Sequence, residues 1–160
     1  QGVRLRARSS SQLAHDFVVE LDITTVGESR LLRLVYRLHN LRAVEQQVRM
    51  GCNVAGRLGA HPEDLILRGE GITRHPTPWT ALFGHKTWGA LTNPATGRTL
   101  LLVSQQADVV PRDAGRFGRS LEAGEQVRLA ANAVREFTYY LILADTWEEA
   151  LPYLALQGYR

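Results

Sequence analysis

At 160 residues, with 44% hydrophobic and 22% charged residues, the chain has the length and composition of a single globular domain, which excludes a disordered or fibrous protein. The formal net charge of +3 is small, and the arginines alternate with acids or stand at strand spacing, which argues against a nucleic-acid partner. No apolar run approaches the ~20 residues of a membrane-spanning helix, and a single cysteine excludes an internal disulfide.

The N-terminal residues alternate with the period of two that is typical of β-strands. The chain begins with Gln1 instead of Met, so we expect that an initiator Met, a signal peptide or a preceding domain was removed, which leaves both the cytoplasm and export open. Residues 3–8 (VRLRAR) alternate apolar residues with arginines, and residues 17–24 (FVVELDIT) alternate apolar residues with the acids Glu20 and Asp22. The pattern predicts two half-buried strands whose acids face the arginines across a hairpin.

The next stretch, residues 34–56 (LVYRLHNLRAVEQQVRMGCNVAG), alternates like a strand pair. His39 and Asn40 lie where that pair would turn, and Asn tolerates the left-handed backbone of such turns, so we predict a hairpin here. Cys52 lies among apolar neighbours and is expected to be a small buried side chain. Asn53 falls on the opposite strand face, where we expect it to hydrogen-bond a loop.

Residues 56–89 form the least regular segment and are rich in Gly, Pro, His and Trp. Long irregular loops in compact domains are often functional, so the sequence predicts a ligand site here. A flat indole can stack on a sugar ring, which suggests Trp79 as the platform, whereas Trp88 and Trp147 are expected in the core. The candidate polar partners of the ligand are Glu70, Arg74, His75 and His85.

The same segment does not have the ligand spacing of a metal site. Its three histidines are separated by 14 and 10 residues, and the sequence has no H-x-x-x-H or C-x-x-C motif. We therefore predict turn and loop histidines and no metal. The sequence also lacks the glycine motifs that cradle nucleotides or position a nucleophilic serine, so no cofactor and no catalytic residue are predicted.

The second half of the chain begins with two apolar runs around NPATGR (residues 93–98), which predicts a hairpin. Residues 107–120 predict a glycine-rich loop that is either solvated or contacts an anion through Arg112, Arg116 and Arg119. LEAGEQ (residues 121–126) predicts a turn before two closing strands. TWEE (residues 146–149) is a capping-box sequence and predicts a short C-terminal helix.

Three of these stretches resemble a known group of domains. Residues 34–56, residues 87–109 (TWGALTNPATGRTLLLVSQQADV) and residues 121–130 (LEAGEQVRLA) are similar to the strands of carbohydrate-active supersandwich domains. The nearest likeness is to the β-domain of glycoside hydrolase family 57 4-α-glucanotransferases and α-amylases, and more loosely to the galactose-mutarotase-like fold. The resemblance covers roughly half of the chain. It implies a fold and carbohydrate as the ligand class, and it carries over no catalytic residue.

Together these features predict an all-β protein, an antiparallel β-sandwich of about eight to ten strands, supersandwich-like, with one short C-terminal helix, formed by residues 1–160 as one domain. The leading functional hypothesis is a non-catalytic carbohydrate-binding module. The alternatives are an interaction module that docks a protein partner or a second copy of itself, and a sugar-acting enzyme that uses acids such as Glu63, Asp64 or Glu70 with His75.

Overall fold

The alternating residues form two antiparallel sheets in the computed structural model, which describes residues 2–8, 16–26, 30–61, 64–69, 72–74, 87–113 and 119–157. The large sheet has eight described strands in the order β1-β2-β3-β11-β8-β7-β5-β6, and the small sheet has three in the order β4-β10-β9. The large-sheet strands are β1 (Gly2–Arg8), β2 (Phe17–Thr25), β3 (Leu31–Asn40), β5 (Ile66–Gly69), β6 (Ile72–Arg74), β7 (Trp88–Thr92), β8 (Thr99–Ser104) and β11 (Val134–Ala144). The small-sheet strands are β4 (Gln46–Ala55), β9 (Asp108–Asp113) and β10 (Arg119–Leu129).

The two sheets pack face to face around the main core. Its largest fully buried side chains include Leu38, Leu67, Leu121, Phe137 and Tyr139. Burying an aliphatic or aromatic side chain of this size stabilises the fold by about 1.5–3 kcal/mol. The antiparallel β-sandwich predicted from the alternation is confirmed.

A second, smaller core lies on the outer face of the large sheet. It is covered by α1 (Trp147–Ala150) and a following 3₁₀ helix (Leu151–Gln157). Thr146 caps α1, because its side-chain oxygen accepts from the backbone N–H of Glu149 over 3.2 Å, as the capping-box sequence predicted. The rings of Trp88 and Trp147 lie 5.7 Å apart in this core. Among the described residues, no helix is long and apolar enough to cross a membrane.

The predicted hairpin of β1 and β2 is present, and Arg4 stands opposite Asp22 in its register. The prediction that β1 is half-buried is wrong, because Val3 is 59% and Leu5 is 51% exposed. The reason is that neither hydrophobic core includes a residue of β1, so no layer of described residues covers its apolar side chains.

The predicted hairpin of β3 and β4 is wrong. β3 pairs with β2 and β11 in the large sheet, whereas β4 pairs with β10 in the small sheet, so residues 41–45 cross from one sheet to the other. Asn40 ends β3 at this crossing and is 2% exposed. Its side-chain amide donates to the carbonyl oxygens of Val44, Leu129 and Ala130. Asn40 therefore joins the two sheets instead of forming a hairpin turn.

The predicted turn at LEAGEQ is also wrong, because residues 121–126 lie within β10. Gly124 pairs there with Gly51 of β4. A Cβ atom on Gly51 would lie 2.1 Å from the carbonyl oxygen of Ala123, so glycine is needed for a close approach of two backbones. The turn predicted at residues 93–98 is confirmed: it joins β7 and β8, and Gly97 has a φ of +78°.

Candidate functional site

Charged side chains collect on the outer face of β1, β2 and β3, which is the face turned away from the small sheet. Alternate residues of a strand point to opposite faces, so Leu34 and Leu38 of β3 enter the main core while its arginines face outward. A groove of about 460 Å³ lies on this outer face. We call it the arginine groove; its lining residues are Gly2, Val3, Arg4, Asp22, Thr24, Arg33, Val35 and Arg37.

Asp22 is the central acid of the arginine groove. Its carboxylate accepts from Arg4 Nε over 2.5 Å and Nη2 over 3.0 Å, and from Arg37 Nη1 over 2.6 Å. These hydrogen bonds lower the pKa of Asp22 from 3.8 to about 2, and the hydrogen bonding from Arg4 makes the largest contribution. Arg37 also donates to Glu136 of β11 over 3.1 Å. The two guanidinium groups are thus held in fixed orientations, and Asp22 is a permanent anion at neutral pH.

Arg33 differs from the other two arginines of the groove. Arg33 is exposed, and it makes no ion pair or side-chain hydrogen bond with the residues that the structure describes. The groove lining therefore contains three arginines and one carboxylate, and one of the arginines keeps all its donors for a ligand. Such a surface suits a ligand that is rich in hydroxyl groups or carries negative charge.

A histidine and a glutamate lie beside the arginine groove on the same face. His39 Nε2 is 3.6 Å from Glu20 Oε2, and both side chains are mostly buried. Glu20 stands opposite Arg37 in the register of β2 and β3, so the pair adjoins the groove. His39 was predicted in a turn, so this pair was not expected. The spacing of two between Glu20 and Asp22, and between Arg37 and His39, could have indicated that these side chains lie on one face of the sheet.

The site residues predicted from the sequence are not brought together in the described part of the chain. Glu70, His75, Trp79, His85 and Arg116 lie outside the described residues. The backbone of Arg74 lies in β6, at the opposite edge of the large sheet from β1.

The predicted cationic loop of residues 107–120 is partly wrong, because strands begin and end within it. Arg112 belongs to β9 and pairs with Glu122 of β10 over 2.8 Å. Arg119 is the first residue of β10 and is 4% exposed, so it is not a solvated loop residue. Residues 108–113 pair with residues 119–124, whereas Gly115 and Gly118 lie outside the described residues.

Cys52 and Tyr139 face the interior of the sandwich. Burial raises the pKa of the Cys52 thiol to about 11, which disfavours the thiolate and any nucleophilic role. Burial likewise raises the pKa of Tyr139. Within the described ranges no three His, Cys, Asp or Glu side chains form a group that could hold a metal ion.

The fold is similar to solved structures of sugar-related proteins. A galactose mutarotase-like protein from Lactobacillus casei has a TM-score of 0.65 at 11% identity, over 89% of this chain and 70% of that protein. A proposed aldose 1-epimerase from Klebsiella pneumoniae has a TM-score of 0.67 at 11% identity, over 98% of this chain and 54% of that protein. An alpha-galactosidase from Lactobacillus brevis has a TM-score of 0.59 at 10% identity, over 88% of this chain and 23% of that protein.

Identity this low shows the fold alone, and the fold is galactose mutarotase-like, as the resemblance implied. No protein-family model matches the chain, and no curated protein matches its sequence.

Proposed function

We propose that this chain binds carbohydrate without transforming it, and that the arginine groove is its binding surface. The fold supports the ligand class, since the similar structures include proteins named for galactose mutarotase and aldose 1-epimerase. The finer likeness to the β-domain of glycoside hydrolase family 57 belongs to this proposal as well.

The observation that carries the proposal is the set of guanidinium groups around Asp22. Arg4 and Arg37 are fixed by that carboxylate, and fixed donors cost less entropy when a ligand binds. Arg33 adds uncommitted planar donors that can bind two neighbouring hydroxyl oxygens or a carboxylate together. The groove volume of about 460 Å³ lies within the range of small-ligand sites.

The proposal that the groove has no catalytic role rests on the lowered pKa of Asp22. A general acid or base works best when its pKa is near the working pH. The two arginines hold the pKa of Asp22 at about 2, so this carboxylate is a poor proton donor and a poor base at neutral pH. It is better suited to orienting the arginines than to moving a proton.

The test is thermal unfolding against a panel of mono- and oligosaccharides that includes uronic acids, because a ligand of the native state raises the melting temperature. We expect a saturable shift with one sugar class, and we expect Arg33→Ala to reduce it without lowering the melting temperature of the free protein. Arg128→Ala is the matched control, since Arg128 is an exposed arginine of β10 in the other sheet. A shift that survives Arg33→Ala unchanged would remove the groove from the proposal.

The segment of residues 57–89 remains a second proposed surface, with Trp79 as a stacking platform and Glu70, Arg74, His75 and His85 as polar partners. Trp79→Ala separates the two surfaces. A sugar response that is lost in Trp79→Ala and kept in Arg33→Ala would assign binding to that segment. The opposite pattern would assign it to the arginine groove.

A sugar-acting enzyme is the second candidate function, and the His39–Glu20 pair favours it. An imidazole 3.6 Å from a carboxylate, beside a groove, is an arrangement that can donate and accept protons. The measurement is the rate of anomer interconversion of aldoses, followed by polarimetry. We expect no acceleration by the wild-type chain. Acceleration that His39→Gln abolishes would instead establish this second function.

A further inference from the structure

β1 has one side of its backbone without a partner among the described strands. It stands at the end of the large sheet and pairs with β2 only. A seven-residue edge strand presents a row of backbone N–H and C=O groups to which another strand can bind. This edge adjoins the arginine groove, because Gly2, Val3 and Arg4 of β1 also line the groove.

The edge carries arginines, but it lacks two other features that commonly prevent strand addition, proline and a β-bulge. Residues 2–8 contain no proline, and the register with β2 runs without a bulge from Gly2 opposite Thr24 to Arg8 opposite Val18. Val3 is 59% and Leu5 is 51% exposed, so an added strand could cover apolar surface as well as form backbone hydrogen bonds.

The register of β1 with β2 indicates what kind of strand fits. In this register Leu5 stands opposite Leu21, Arg4 opposite Asp22 and Arg6 opposite Glu20. Apolar positions therefore meet apolar positions, and arginine positions meet acidic positions. A second copy of β1 would set arginines near arginines on the same sheet face, which is unfavourable. A strand that alternates apolar and acidic residues would avoid this repulsion and cover Val3 and Leu5.

We propose that the free edge of β1 binds an extended protein segment in which apolar and acidic residues alternate. The partner adds a strand to the large sheet beside β1. Its apolar side chains cover Val3 and Leu5 on the inner face, and its acids lie on the outer face along the arginine-bearing side of β1. The chain is then an interaction module in addition to any role in binding sugar.

The test is fluorescence anisotropy of a labelled peptide with the core sequence VELDIEV, carrying a polar tail for solubility. We expect saturable binding that Leu5→Lys weakens by about tenfold or more, because a charge replaces the exposed apolar contact. Val44→Lys is the matched control, since Val44 is 54% exposed and lies in the connection between the sheets. The peptide VKLKIKV is expected not to bind.

Several results would overturn the proposal. These are no binding of VELDIEV to the wild-type chain, equal binding of VKLKIKV, or equal weakening by Val44→Lys and Leu5→Lys. Circular dichroism checks that Leu5→Lys folds, and Val3→Lys replaces it if it does not. Sedimentation that shows a dimer of the wild-type chain, lost in the same variant, would make a second copy the occupant instead.

Discussion

The side-chain amide of Asn40, the last residue of β3, donates to the carbonyl oxygen of Leu129, the last residue of β10, over 3.1 Å. The same amide donates to Val44 and Ala130 over 2.9 Å each, and its oxygen accepts from the backbone N–H of Arg42 over 3.0 Å. One side chain thereby connects the end of a large-sheet strand, the crossing segment and the end of a small-sheet strand.

Replacing Asn40 by Ala is expected to lower the free energy of unfolding by about 2–3 kcal/mol, because the buried carbonyl oxygen of Leu129 and two half-buried carbonyl oxygens lose their donor. Urea denaturation measures the change. The control is Asn53→Ala, which removes one exposed hydrogen bond of 3.2 Å to Glu122 and is expected to cost less than about 0.5 kcal/mol. Similar losses in the two variants would contradict the role of Asn40 in joining the sheets.

Replacing Gly51 by Ala is expected to destabilise the small sheet by about 2 kcal/mol or more, since the new Cβ would lie 2.1 Å from the carbonyl oxygen of Ala123 and 2.8 Å from Cα of Gly124. Backbone atoms of a paired strand cannot move aside as the end of a side chain can. Thermal unfolding is compared with that of Gly69→Ala, whose Cβ would meet, among the described residues, only Pro111 Cγ at 3.9 Å. Equal melting temperatures of the two variants would show that β4 and β10 can move apart at Gly51 without a loss of stability.

The pairing of Asp22 with its arginines is expected to make stability depend on pH in the acid range. The pKa of Asp22 is lowered from 3.8 to about 2 in the folded protein, so its stabilising contribution is present above pH 3.8 and is lost as the pH falls towards 2. Melting temperatures between pH 2 and pH 6 should therefore fall less steeply on acidification in Asp22→Asn than in the wild-type protein. Parallel curves for the two proteins would contradict the lowered pKa.

The thiol of Cys52 is expected to be unreactive in the native protein. Burial raises its pKa to about 11, so about 0.1% of it is thiolate at pH 8. Reaction with dithionitrobenzoate should be slow in buffer, should accelerate as the pH rises towards 11, and should be at least about 100-fold faster in guanidinium chloride. A native rate equal to the unfolded rate would place the thiol in water.

The features that the sequence predicted correctly are local ones. Asn93 and Gly97 lie within one turn, and Thr146 and Glu149 within one helix start, so each interaction is contained in a few consecutive residues. Alternation likewise identified β1 to β4, because the period of two is a property of each strand alone.

The features that the sequence analysis missed depend on distant segments. Whether residues 121–126 turn or continue as a strand is decided by β4, through the approach of Gly124 to Gly51. Glu20 comes near His39 only because β2 lies beside β3 in the large sheet. The arginine groove needs three strands in register, so no single stretch of sequence contained it.

The position of β3 between β2 and β11 also bears on how the chain folds. Arg37 of β3 bonds Glu136 of β11 across a separation of 99 residues, whereas its contact with Asp22 spans 15. The three N-terminal strands can therefore associate early, while the centre of the large sheet must wait for the closure of a long loop, which carries a large entropic cost. Proteins dominated by such distant pairings fold in about milliseconds to seconds. Until β11 pairs with it, β3 has an unpaired strand edge, and such edges make partly folded chains prone to aggregation.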